Sequence, residues 1–438
     1  MRRDEQAVLT VASLGHALCH VSTLILQQVI FEASRDLETE AIGWLVTLCG
    51  LLMGLGAIPS GALGDALGSR RVYLGYLALL ALAAGAAAAA PGVWLFAPAV
   101  ALVGLAASAH HPVGLAWIAE SIPTQRARAL GIHGFVGHFG STLAPLLVLR
   151  LHESVGWRHA YTVVALAAAV LFVALKAAPL TAAEVEVRNA RSSAPRRALP
   201  WKLLLAPGLL VLLVAMTPAG LLHQGFWSSW TSHVKDEVGA TPHAGPGPAE
   251  LSLQPLAHGA QESLPAWLLG PRQEGETPLG PLAGALATIV LAFGSLGELF
   301  GGRLARRGAT LRLYAAMNAL SAVGLAGLFA LRGPPLLISG ALFAFFHFGS
   351  QPVENDLVAR RSDPRVRGLA YGLKFVVTFG LGSLAANPAI AGGRSFGYPA
   401  VFAALAALAF AGALGVAWLA RRDPAERAPA GAPAPRGS

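Results

Sequence analysis

Gly61-Ala62-Leu63-Gly64-Asp65-Ala66-Leu67-Gly68-Ser69-Arg70-Arg71 lies between two long apolar runs, 42–63 and 72–90. It carries one aspartate among small residues, then a pair of arginines. Downstream, no Asp, Glu, Lys or Arg occurs from Val72 to Ala119. The surroundings decide how the stretch is read, because a run of about 20 apolar residues crosses a bilayer as a helix. The segment is therefore a short aqueous connection between two membrane spans.

Working outward gives twelve such runs: 7–31, 42–63, 72–90, 94–119, 129–150, 159–178, 203–231, 280–302, 313–331, 335–358, 369–391 and 398–420. Composition agrees, with 55% apolar and only 13% charged residues among 438, where soluble chains average about 25% charged. The net charge of +9 does not indicate nucleic-acid binding, since the cations form short clusters between apolar runs and no basic face. Cys19 and Cys49 both fall inside spans, which argues against a disulfide framework. The first run is too long for a cleaved signal and leads into further spans. No enzyme signature is present, neither a nucleophile arrangement nor paired catalytic carboxylates.

Arginine clusters alternate with the spans: Arg2 and Arg3, Arg70 and Arg71, Arg126 and Arg128, Arg303 and Arg306, and Arg421 and Arg422 all fall on one side. The positive-inside rule makes that side the cytoplasm and places both termini there. A shift of 240 aligns the halves. Gly54, Gly61 and Gly68 fall on Gly294, Gly301 and Gly308, Pro112-Val113 on Pro352-Val353, and Gly140 on Gly380. The expected fold is an all-α membrane protein of twelve transmembrane helices in two pseudo-symmetric six-helix bundles. The expected organisation is a first bundle over 1–178, a cytoplasmic linker over 179–202 and a second bundle over 203–420. The second bundle carries a Pro- and Gly-rich insertion at 239–280, read most simply as a flexible loop, with an interfacial segment or a lid on the outer mouth as the alternatives for its apolar patch Leu264–Leu269; a disordered cytoplasmic tail is expected at 421–438. Repeated halves around a midplane site are the architecture of secondary transporters.

Gly61, Leu63, Asp65, Gly68, Arg70 and Arg71 match the signature loop of the major facilitator superfamily, G-x-L-x-D-R-x-G-R-R, with Ala66 replacing an arginine. The chain resembles that family over nearly its whole length. The resemblance implies that Asp65 latches the cytoplasmic gate against the helix starting near Leu369. Its second copy, Gly302 to Gly308, has no aspartate. Gly131, Gly140 and Ala144-Pro145 in span five resemble part of the antiporter motif, without its final glycine pair. Gly131, Gly134, Gly137 and Gly140 stand three apart, which makes a groove suited to close packing. His111-Pro112, the segment Gly137 to Pro145, and Gly156-Trp157-Arg158 are similar to the fosmidomycin-resistance branch, a group of drug–proton antiporters. The span-four arginine common in such antiporters is absent.

Eight of the 13 histidines fall within spans. The resemblance makes spans one, four, seven and ten the cavity walls. These carry His16 and His20, His110 and His111, His223, and His347, with His138 in span five. His16, His20, Thr23 and Gln27 continue one helix stripe, and Gln351, Glu354 and Asn355 extend span ten toward the cytoplasm. An imidazole carries a proton near neutral pH, with an unperturbed pKa of about 6.5. Pro112 and Pro352 each remove a backbone hydrogen bond, so both helices are expected to loosen there. Lys374 is expected to pair with Glu354 or with Glu298, a candidate inner-gate acid, because an intramembrane charge costs roughly 2.5–3.5 kcal/mol.

These features predict a proton-coupled transporter of a small organic solute that works by alternating access, most naturally in efflux. It would be a monomer in the bacterial inner membrane, with the proton gradient as energy source and no cofactor, resident metal or nucleic-acid partner. Two alternatives stand beside it: a transition-metal transporter using the intramembrane histidines, with Cys19 close by, and a non-transporting sensor on the same fold.

Overall fold

The structure, a computed structural model, describes residues 1–29, 33, 35–38, 42–193, 201–239, 279–305, 311–423 and 426. Most of the expected insertion and tail, and residues 194–200 of the expected linker, lie outside the described residues. Helix α1 spans Arg3–Gln28. The second span is α2, Ile42–Leu55, and α3, Ala57–Leu67, separated at Gly56. Then follow α4 Ser69–Ala89, α5 Val93–Ser121, α6 Arg126–Val155, α7 Arg158–Ala177 and the short α8 Ala182–Ser193. The second half comprises α9 Pro207–Gly239, α10 Leu279–Ala305, α11 Leu311–Ala330, α12 Pro334–Arg361, α13 Arg367–Phe375, α14 Ala386–Phe396 and α15 Tyr398–Arg422.

Among the described residues, 10 helices are long and apolar enough to cross a membrane. The other two expected spans are α6, which is polar in its first half, and the stretch from Arg367 to Phe396. That eleventh span is broken by a π-helical turn, Val376–Leu381, and a 3-10 turn, Gly382–Ala385. The break lies where α9 approaches: a Cβ on Gly382 would stand 2.7 Å from the Gly220 carbonyl oxygen. The π turn re-spaces the backbone so the two helices can meet. The loosening expected at Pro112 and Pro352 is not where the irregularity falls. Both α5 and α12 run through their prolines as continuous helices.

Outer faces are apolar and exposed. Leu166, Val170 and Val173 of α7 form one stripe, exposed at 63%, 66% and 64%. This inverts the rule for water-soluble helices and fits a lipid-facing surface. Polar groups turn inward. Tyr73 and Tyr76 of α4 donate to the backbone carbonyls of Ala12 and Gly15 at 3.1 and 2.9 Å, tying α4 to α1.

The halves meet through two pairs of spans. Helix α3 packs on α13, and α6 packs on α10. Under the shift of 240, span two maps to span eight and span five to span eleven, so the two crossings exchange, as a pseudo-two-fold axis requires. Glycines permit both. A Cβ on Gly61 would collide with the carbonyl of Gly368, and one on Gly131 would lie 2.8 Å from the Cα of Gly302. The repeat does not copy function, however: Gly301, the partner of Gly61 under the shift, packs on Gly349 within its own half.

Part of the expected linker is ordered into the fold. Thr181 and Glu184 form a reciprocal cap on α8 (Thr181 N to Glu184 Oε2 2.7 Å, Glu184 N to Thr181 Oγ1 3.1 Å). Glu184 also accepts from Trp117 Nε1 at 2.7 Å, docking α8 under α5. The tether over 179–202 therefore begins as a helix bound to the first half, because its T-x-x-E pattern supplies a cap and an anchor together.

Candidate functional site

The stretch 61–71 forms a latch. Asp65 is 7% exposed, at the end of α3. Its two carboxylate oxygens each accept a backbone hydrogen bond at 2.8 Å, from Gly368 N and Leu369 N. Those amides are unpaired donors at the start of α13, where the helix dipole favours an anion. Gly68 joins α3 to α4 at φ 98°, a backbone conformation that costs a non-glycine residue roughly 1–3 kcal/mol. Gly68→Ala is expected to lower the melting temperature of the detergent-purified protein, read by thermal unfolding. Arg70 donates to the carbonyls of Leu175 and Ala178 at the end of α7 and lies 3.6 Å from Glu184. Arg71 is exposed.

Beside the latch, Arg126 at the start of α6 reaches Asp356 of α12 at 2.5 Å, and Arg360 holds the other oxygen of Asp356 at 2.6 Å. Arg126 and Asp356 come from opposite halves, so this end of the molecule is closed by an ion pair as well as by the latch. At the far end, Trp157 and Arg158 hold Asp36 at 2.8 and 3.0 Å within the first half.

Above the closed end lies a cavity with about 410 Å³ of empty volume, part of it open to solvent. Its wall includes Gly220, His223, His347, Gln351, Glu354 and Lys374. Lys374 Nζ lies 3.1 Å from Glu354 Oε1 and donates to Asn355 Oδ1 at 2.5 Å. Tyr314 adds a long contact to Glu354 at 3.4 Å. Of the two carboxylates expected for Lys374, Glu354 is its partner. Glu298 of α10 pairs instead with His138 of α6, Nδ1 to Oε1 at 2.5 Å, across the two halves. Gly134 makes room for this pair, since a Cβ there would occupy the Glu298 carboxylate. Overpacking of that kind costs roughly 1–3 kcal/mol. Gly134→Ala is therefore expected to lower the melting temperature of the detergent-purified protein. Gly75→Ala, where nothing lies within 4 Å, leaves it unchanged.

Among the described residues the cavity wall comes from the second half alone, so the first-half histidines expected there, His16, His20, His110, His111 and His138, do not line it. His110, expected there, is fully buried within the half and contacts Tyr73 through Nδ1 at 3.1 Å. Adjacent residues on a helix point about 100° apart, so His111 is turned aside from His110 and lies against Phe375 of the second half at a ring separation of 4.8 Å. His16 and His20 touch through their Nε2 atoms at 3.1 Å. The ring of His20 lies 6.2 Å from that of His138. A line of imidazoles thus runs from the first half to Glu298 at the interface. His223 and His347 face each other in the second half at 5.6 Å.

Some expected members fall elsewhere. The Thr23 hydroxyl is spent on the carbonyls of Cys19 and His20, both at 3.1 Å, because a helical threonine bonds readily to the preceding turn. The side chains of Gln27 and Pro145 lie outside the described residues. Gly140 packs against Ala17 of α1, so this part of the glycine groove holds helices of one half together. Sequence reasoning passed over His133, whose ring stacks on His16 at 4.4 Å, along with Arg126 and Asp356. The missed signal for Asp356 was its place in the run Glu354-Asn355-Asp356 inside a span.

The profile described as Major Facilitator Superfamily matches residues 12–257 and 276–437. The chain belongs to that superfamily of transporters. Two curated relatives are similar to part of it. The multidrug resistance protein Stp of Mycobacterium tuberculosis (strain CDC 1551 / Oshkosh) is 28% identical over 180 residues, 40% of this chain and 34% of Stp. The niacin transporter NiaP of Acinetobacter baylyi (strain ATCC 33305 / BD413 / ADP1) is 30% identical over 176 residues, 39% of this chain and 40% of NiaP. The match thus spans well under half the length of either relative. Solved structures share the fold: the E. coli fucose–proton symporter FucP, TM-score 0.68 at 14% identity, covers 95% of this chain and 99% of its own. The human organic anion transporter MFSD10 gives 0.64 at 17% identity, covering 95% and 100%. The protein is a multi-pass membrane transporter of this fold.

Proposed function

We propose that this chain couples a proton gradient to the movement of a small organic solute, in the direction of efflux, by alternating access. The observation that carries the reading is the His138–Glu298 pair at 2.5 Å, because it joins a titratable acid and a titratable base across the moving interface. Protonating Glu298 removes the charge that holds His138. The α6–α10 crossing then loses its electrostatic contribution, and the balance between the two arrangements of the halves shifts. The solute occupies the cavity beside Lys374 and Glu354.

With the positive-inside rule applied, the latched end faces the cytoplasm of a bacterial inner membrane, and the chain acts as a monomer. The partial antiporter motif around Gly131 and Gly140, the similarity to the fosmidomycin-resistance branch and the Stp match support export. No cofactor is called for. The test is flux in proteoliposomes under an imposed pH gradient, across a panel of drugs, organic acids and divalent metals. Movement of at least one organic solute should follow the gradient and collapse with a protonophore. Solute flux indifferent to the gradient would remove the coupling.

A further inference from the structure

We propose that His16, His20 and His111 form a binding site for one borderline divalent transition-metal ion, of which Zn²⁺ is the reference case. One ring nitrogen from each lies within 4.8 Å of the other two. His16 and His20 stand four residues apart on α1, so they share one helix face, the spacing by which a helix presents two imidazoles to one ion. His111 comes from α5, and both helices are continuous through the site.

Three further observations point to an ion. The first is the orientation of His16. Its Nδ1 is 3.0 Å from the backbone carbonyl of His133, which can only accept, so the Nδ1 proton sits there and the Nε2 lone pair faces His20. Metal-ligating histidines are held this way, one ring N–H on a carbonyl and the other nitrogen on the ion. The second is an orphan. His111 Nε2 is buried without a hydrogen-bond partner, on a residue 7% exposed. A buried polar atom left unpaired is costly unless a ligand completes it.

The third is the geometry of the ring planes. A second group, His16, His110 and His133, is also compact. Its rings are nearly parallel, with interplanar angles of 24°, 18° and 20°. Lone pairs lie in the ring planes, so stacked rings cannot converge on one point. In the proposed triad the angles are 37°, 89° and 58°, which permits convergence. The His16–His20 contact of 3.1 Å already approaches the edge of a tetrahedral zinc site, about 3.4 Å for Zn–N bonds of about 2.05 Å. A modest swing of His111 completes the face. Binding requires His20 to carry its proton on Nδ1, a tautomer change that releases no proton. Cys19 takes no part, since its thiol points at the Ala107 carbonyl, 3.9 Å away.

The test is Zn²⁺ binding to the detergent-purified full-length protein, by competition with a chromogenic chelator, together with the visible spectrum of the Co²⁺ form. One tight equivalent and the intense bands of tetrahedral Co²⁺ are expected. His16→Ala and His111→Ala should each weaken binding by at least about tenfold, whereas His159→Ala, an exposed position, should leave it unchanged. Size-exclusion profiles and melting curves without metal separate lost ligation from lost folding, and Zn²⁺ should raise the melting temperature of the wild type and of His159→Ala more than that of His16→Ala or His111→Ala. Binding that survives both substitutions, or that is lost only with His110→Ala or His133→Ala, would overturn the assignment. These readouts need no solute flux, so they stand apart from the outcome for proton coupling.

Discussion

Lys374→Met is expected to lower stability by about 3–5 kcal/mol, because it strands the buried carboxylate of Glu354 without its cation. Glu354 and Lys374 are both 3% exposed, and their contact of 3.1 Å lies on the cavity wall. The double variant Lys374→Met with Glu354→Gln removes both charges and should recover most of the loss, since replacing a buried pair as a unit is often nearly neutral. Thermal unfolding in detergent reads both outcomes. Transport should not recover with stability, because the pair lines the cavity proposed to hold the solute. A double variant as unstable as the single one would mean that Lys374 acts through Asn355 and not through Glu354.

Glu298→Gln is expected to separate exchange from accumulation. Glutamine keeps the size of the side chain and a hydrogen bond to His138, so the halves can still pack. It cannot take up and release a proton. A gradient of one pH unit supplies about 1.4 kcal/mol per proton, enough for about a tenfold solute gradient at one proton per cycle. Wild-type vesicles should approach that ratio, and Glu298→Gln vesicles should stay near unity while still exchanging labelled for unlabelled solute. Accumulation undiminished in the variant would place the coupling group elsewhere.

Much of the fold was legible because membrane spans are written as uninterrupted apolar runs, and the bilayer sets their length. The run 72–119 reads as two helices with a turn between them, and α4 and α5 follow it closely. The Asp65 segment was legible through its pattern, and the latch follows from an anion facing two free amides. The eleventh span was not. Its π and 3-10 turns arise from the approach of Gly220 on a distant helix, which no local sequence signal carries. The prolines drew attention to the wrong helices for the same reason: a lost N–H matters less than what a neighbour does with the backbone.

The site was legible as a set of residue types and not as a set of directions. His110 and His111 are adjacent in sequence yet serve different surroundings, one inside the first half and one at the interface. Which way each ring points depends on the rotation of α5, set by its packing against α1 and α4. The partner of Glu298 was missed because His138 was counted as a cavity group, while Gly134, one turn earlier, was the clue that something large fills that space. The sequence reading offered the intramembrane histidines as metal ligands only in its transition-metal alternative, without choosing among them. The His16, His20 and His111 triad emerged only from ring angles, which residue spacing cannot supply.

Spin-label distances across both ends of the molecule test the rocking of the halves most directly. Leu67 and Arg365 are exposed near the Asp65 latch, and Trp44 and Phe396 are exposed toward the far end, at 75% and 81% for the last two. Each pair joins the two halves. In the Asp65→Asn variant, which loses the carboxylate charge on the α13 amides, the first distance should lengthen and the second shorten together. Two distances that stay fixed, or that change in the same sense, would contradict alternating access about the histidine-lined cavity.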